Sequence, residues 1–93
     1  MGRDKKLSLK FRGKPCVICK CPGSGDHILN YRRIPSRDME WNLWSLCFNH
    51  HREKTDHKKG LYGFVNEHSL EDKLVEKNFY FIEESFTWWH EKA

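Results

Sequence analysis

The sequence predicts a small α+β domain in which a metal ion staples a ββα core and helices follow to the C-terminal end. Three observations predict it. Two short chelating pairs, Cys16-x2-Cys19 and Cys47-x2-His50, have 27 residues between them. Strand-like segments lie between and beside them, and a polar, proline-free segment with helix character follows. The chain has only 93 residues, 38% of them hydrophobic and 32% charged, with a mean hydropathy of -0.86. A core that small is marginal alone, and chains of this size often add disulfides or a structural metal. Aromatic residues at 14% set the chain apart from a disordered one.

The elements follow in order within a single domain, residues 1–93. Residues 1–14 are a basic lead-in, residues 15–60 the stapled core and residues 61–93 a helical C-terminal extension. Pro15 with Cys16 and Cys19 suggests a tight knuckle. Pro22-Gly23-Ser24-Gly25 is loop-like by composition. Asp26 to Tyr31 carries Ile28, Leu29 and Tyr31 and reads as the first strand. Residues 32–40, with Pro35 at their centre, read as a connecting loop. Trp41 to Phe48 alternates Trp44, Leu46 and Phe48, a second strand or a turn entering a helix. Asn49 to Lys59 reads as a helix, with Gly60 as its C′ residue and Lys58 and Lys59 at the cation-favouring end. Ser69 and Asp72 suggest a capping-box-like start of a further helix, with Leu70 and Leu74 on one face. Phe79, Ile82, Phe86 and Trp89 recur at helical spacing and predict an amphipathic core stripe.

The net charge of +4 conceals an asymmetry. Residues 1–37 carry ten Lys or Arg and two Asp, a balance of +8; residues 38–93 carry seven Lys or Arg and eleven acids, a balance of -4. A basic front half suits a polyanion such as DNA or RNA, and is equally compatible with a solvated basic surface. No stretch is long and apolar enough to span a membrane, and residues 1–14 lack the apolar run of a secretory signal. The expectation is an intracellular, cytoplasmic chain whose thiols stay reduced, so that its cysteines read as metal ligands before disulfides.

Cys16, Cys19, Cys47 and His50 make a tetrahedral Cys3His set suited to Zn²⁺. Its binding free energy would count toward folding. Cys21 offers a looser alternative to Cys19; the x2 knuckle favours Cys19 and leaves Cys21 a spare thiol.

Four further polar residues stand in order: Asp26, His27, Asn42 and His51. With the knuckle Cys16-Val17-Ile18-Cys19, the run Asp26-His27-Ile28, the run Asn42-Leu43-Trp44-Ser45-Leu46-Cys47 and the run His50-His51-Arg52-Glu53-Lys54-Thr55, the chain resembles the HNH endonuclease family of ββα-metal nucleases. The resemblance covers residues 16–55. It departs where His50 replaces the usual Cys, and where Lys20 and Cys21 follow the knuckle in place of Gly. The His50-His51 pair is similar to that of small phage-type HNH proteins, which points to a phage or prophage origin and a bacterial host cell.

The resemblance implies a ββα-metal (HNH) core with a zinc knuckle and a metal-dependent cut of DNA, as a nick or a double-strand break. It implies His27 as general base, Asp26 and His51 as ligands of a catalytic Mg²⁺, Mn²⁺ or Ni²⁺, and Asn42 as the residue that fixes the imidazole or the backbone. A near-neutral imidazole suits the base, and two protein ligands leave coordination positions for water and phosphate. Asp26 and His27 face opposite sides of a strand. Arg32, Arg33, Arg37 and Lys54 are candidate DNA contacts, with Lys5, Lys6, Lys10, Arg12 and Lys14 as further cations. His57 is a candidate third ligand or phosphate contact, and His68 and His90 read as surface residues. RNA or branched DNA would suit the same chemistry. Two other readings remain open: a catalytically silent zinc module that binds DNA or protein in a phage packaging or recombination complex, and a subunit or homodimer using Trp88 and Trp89 as a partner surface.

Overall fold

The Pro-Gly-Ser-Gly stretch, loop-like by composition, is in fact where sheet pairing begins. A computed structural model describes residues 10–29 and 39–93. Strand β1 runs Ser24–His27 and pairs antiparallel with β2, Leu43–Leu46, in a register that sets Asp26 against Trp44 and His27 against Leu43. Gly23 makes this start possible: a Cβ there would lie 2.6 Å from Ser45 Oγ and 2.7 Å from the Leu46 carbonyl carbon, closer than packed atoms come. Glycine thus lets two backbones approach where any side chain would separate them. The first strand therefore lies ahead of the expected 26–31 span. A short 3-10 turn, Glu40–Asn42, leads into β2.

Helix α1, Phe48–Asp56, follows β2 after Cys47. It stops short of the expected Lys59 because His57 takes extended backbone angles, with its Nδ1 accepting the Lys59 N–H. Gly60 does have a left-handed φ of +64°, yet it opens the next helix, α2 (Gly60–Glu67), and does not close the previous one. Helix α3 spans Glu71–Glu76. Ser69 is not its cap: Ser69 sits at φ +53° in the turn after α2, and Leu70 precedes the first helical residue. Leu70 and Leu74 are buried together, as their spacing predicts.

The last segment departs furthest from its helical expectation. Residues 79–90 form a hairpin, β3 (Phe79–Ile82) and β4 (Thr87–His90), and not a helix. The aromatic run satisfies a period of two as well as the helical period. Phe79 and Phe81 face His90 and Trp88 across the ladder, so the apolar side of a strand pair is built by alternation. Asn78 and Phe86, both at left-handed φ, immediately precede β3 and β4 respectively.

The result is an α+β domain of two small antiparallel sheets with helices between them. Its core gathers Ile28, Leu29, Trp44, Leu46, Phe64, Val65, Leu70, Leu74, Phe79 and Trp88, with Cys16 buried among them. The two sheets thus share one core through α2 and α3. Among the described residues, no helix is long and apolar enough to cross a membrane.

Candidate metal centre and adjoining polar site

The knuckle forms because Cys16 N–H donates to the Cys21 carbonyl and Lys20 N–H to the Cys16 carbonyl, with Lys20 at φ +68°. This turn aims the Cys16 and Cys19 sulfurs the same way. The second pair comes from the entry of α1, where Cys47 precedes the helix and His50 lies in its first turn. The four ligand atoms of Cys16, Cys19, Cys47 and His50 lie within 4.8 Å of one another. Cys19 Sγ is 3.7 Å from Cys47 Sγ, and His50 Nδ1 is 3.2 Å from Cys47 Sγ and 3.6 Å from Cys16 Sγ. Tetrahedral zinc with bonds of about 2.3 Å to sulfur and about 2.0 Å to nitrogen requires edges of roughly 3.8 and 3.5 Å. The edges match, so the cluster is compatible with a structural zinc ion. Cys21 is exposed and outside the cluster.

The backbone prepares this cluster electrostatically. Burial pushes the Cys16 thiol up, but N–H groups of Cys19, Cys47 and Ile18 donate to it and bring it down from 9.0 to about 6. The His50 N–H lowers Cys47, but burial and the neighbouring Cys19 and Cys16 sulfurs outweigh it and the net shift is upward. A bound cation would counter the charge that these crowded sulfurs share.

Behind the cluster lies a contact that spacing does not reveal. His50, Glu53 and His68 bring ligand-type atoms within 4.8 Å of one another. His68 Nε2 lies 2.6 Å from Glu53 Oε2, and the His68 ring stands edge-on to His50 at 5.3 Å. His68 is therefore not a surface residue: it joins α1 to the end of α2. His90 is not one either. It is 3% exposed, bonded to the Lys77 carbonyl at 2.9 Å and stacked on Trp41 at 4.4 Å. His57 bonds the Lys59 N–H and lies 3.3 Å from Glu67, so its partners are structural ones.

The second polar group centres on Asp26, buried at 5% exposure on β1. Its Oδ1 lies 2.6 Å from His51 Nδ1 on α1. Its Oδ2 accepts the Trp44 indole N–H at 2.9 Å and lies 3.2 Å from Lys54 Nζ. Lys54 also donates to the His27 carbonyl at 2.8 Å, and its side chain is only 12% exposed. Lys54 thus turns inward, tying α1 to both Asp26 and the backbone of His27. The sequence offered no sign of the Trp44 donor, which depends on cross-strand register.

Asn42 is fully buried and clamps one residue of the opposite strand end. Its Oδ1 accepts the Leu29 N–H at 2.7 Å and its Nδ2 donates to the Leu29 carbonyl at 2.9 Å. With Ile28 N–H donating to the Asn42 carbonyl, the chain after His27 is held on three bonds. Asn42 thus serves the backbone just beyond His27. Arg32, Arg33, Arg37, Lys5 and Lys6 lie outside the described residues.

A divalent cation with bonds of about 2.1 Å sets adjacent ligand atoms roughly 3 Å apart. Asp26 Oδ1 and His51 Nδ1, at 2.6 Å, stand closer than that, at direct hydrogen-bond distance. Carboxylate and imidazole are a donor pair that Mg²⁺, Mn²⁺ or Ni²⁺ accepts. No protein family, curated protein or solved structure matches the chain.

Proposed function

We propose that this chain is a metal-dependent HNH endonuclease that hydrolyses DNA phosphodiester bonds, of phage or prophage origin. One observation carries the reading: Asp26 on β1 and His51 on α1 meet at 2.6 Å, one residue from His27 on the strand and from the Cys3His cluster on the helix. The ordered motif thus gains a spatial counterpart, since residues 25 positions apart meet at one carboxylate.

In this reading Asp26 and His51 would hold a Mg²⁺, Mn²⁺ or Ni²⁺ ion. That ion, when bound, counters charge on the phosphoryl oxygens and on the leaving oxygen. His27 takes a proton from the attacking water, whose oxygen bonds to phosphorus as the P–O3′ bond breaks. Lys54 and Trp44 orient Asp26, and Asn42 fixes the backbone that follows His27. A zinc ion in the Cys3His cluster would hold the start of α1, and with it His51, against the knuckle.

A second reading has its own support: Asp26 already accepts three donors, as a purely structural carboxylate would. A silent zinc module that binds DNA or protein would need no more. Supercoiled plasmid separates the two. The purified chain with Mg²⁺ or Mn²⁺ should nick or linearise it, and EDTA should stop the reaction. His27→Ala should abolish cutting with unchanged circular dichroism. Cutting by His27→Ala at the wild-type rate would remove the base from His27, and no cutting with any of these ions would favour the silent module.

A further inference from the structure

The turn between β3 and β4 spends an aromatic residue where glycine would be easier. Phe86 occupies left-handed backbone at φ +53°, in the position before β4. That conformation strains a bulky L-residue, and hairpin loops usually place Gly or Asn there. Packing covers only part of the ring, because Phe86 stays 60% exposed. Its only ring neighbours among the described residues are Tyr62, edge-on at 5.3 Å, and Phe81, edge-on at 6.3 Å. Strain kept at an exposed aromatic is an observation that asks for a ligand.

The ring borders a groove of about 520 Å³. Ser85, Phe86 and Thr87 form one wall, and Lys54, Lys59 and Tyr62 face them. The lining holds two lysines and no carboxylate; Glu83 and Glu84, on the same turn, are exposed but do not line it. The Lys54 that lines the groove has its ammonium 3.2 Å from Asp26. Lys54 is already bonded to Asp26 and the His27 carbonyl, so Lys59 and the exposed Phe86 ring are what suit an anionic ligand with a flat face.

We propose that this groove is a cradle for an unpaired nucleotide of a DNA strand, with its base stacked on Phe86 and its phosphate facing Lys59. The inference rests on the nuclease reading and names its substrate class: DNA with an unpaired base beside the cut phosphodiester. A base in a duplex has both faces covered by neighbours, so stacking on Phe86 selects a single strand, a gap or a flap.

The test compares full-length wild type, Phe86→Gly and Phe86→Tyr for binding a fluorescein-labelled single-stranded oligonucleotide and its blunt duplex, with no Mg²⁺ added. Phe86→Gly removes the ring and relieves the backbone strain, so it should keep its Tm within about 5 °C of wild type. It should weaken single-strand binding by roughly five- to hundredfold, the size of one stacking contact, and leave duplex binding within about twofold. Phe86→Tyr should bind as wild type does. Equal affinities of wild type and Phe86→Gly, or equal losses on both DNA forms, would overturn the cradle. So would an Asp/Glu-rich peptide that displaces the oligonucleotide at similar concentration. A wild type that cuts plasmid but shows no Phe86 dependence sinks the cradle alone; a wild type that neither cuts plasmid nor binds either DNA form sinks the nuclease reading with it.

Discussion

The indole N–H of Trp44 donates to Asp26 Oδ2 over 2.9 Å, from the residue directly opposite it in the β1–β2 register. A buried carboxylate is costly unless its oxygens are satisfied. Trp44 supplies that satisfaction from behind and leaves Oδ1 directed at His51. Trp44→Phe keeps the aromatic volume and deletes the donor. It should cost about 1.5–3 kcal/mol, the range for a hydrogen bond to a charged group, in urea denaturation. If Asp26 ligates a cation, the same variant should need more Mg²⁺ for half-maximal cutting.

Zinc removal should unfold the domain. Cys16 is wholly buried in the core, so its site cannot empty without loosening the packing around it. Elemental analysis should find one zinc per chain in wild type and none in Cys16→Ser. A structural zinc site in a domain this small contributes several kcal/mol, so Cys16→Ser should lose its cooperative transition or drop it by about 15 °C or more. Cys21→Ser should retain zinc and Tm, because Cys21 lies outside the cluster.

Asn42→Ala strips both bonds from Leu29, which is itself fully buried. Two backbone groups are then stranded away from water at about 1–3 kcal/mol each. The expected loss is about 2–6 kcal/mol, read by chemical denaturation. Asn42→Asp should be no better, because a carboxylate cannot donate to the Leu29 carbonyl.

The Glu53–His68 contact makes stability depend on acid pH. The hydrogen bond from His68 holds the Glu53 carboxyl below its ordinary 4.5. A carboxylate depressed by folding contributes stability that is complete above its unfolded value and is lost as pH falls through the lower folded value. Glu53→Gln should therefore lower stability at neutral pH and flatten the acid limb below pH 4.5. An acid limb as steep as that of wild type would mean that the pair carries no linkage.

Much of the metal centre was legible in the chain because its geometry is local. A Cys-x2-Cys knuckle and a Cys-x2-His helix entry each aim two ligands at one point, whatever surrounds them. The helix after Cys47 and the shared face of Leu70 and Leu74 were legible for the same reason. The hairpin was not. Phe79, Phe81, Trp88 and His90 alternate, while Phe79, Ile82, Phe86 and Trp89 fit a helix, and a short aromatic run obeys both periods. His68 and His90 carried no pattern, since their partners, Glu53 and the Lys77 carbonyl, come from other elements.

From the residues alone came the four members of the Cys3His cluster, the order of the polar motif and the apolar positions of the short helices, because each depends on neighbours a few positions away. Folding alone decided that Asp26 meets His51, Trp44 and Lys54, that Glu53 and His68 back His50, and that the last segment is a strand pair. Those outcomes depend on strand register and on contacts between distant segments, which the burial of one shared core selects and which no local spacing encodes.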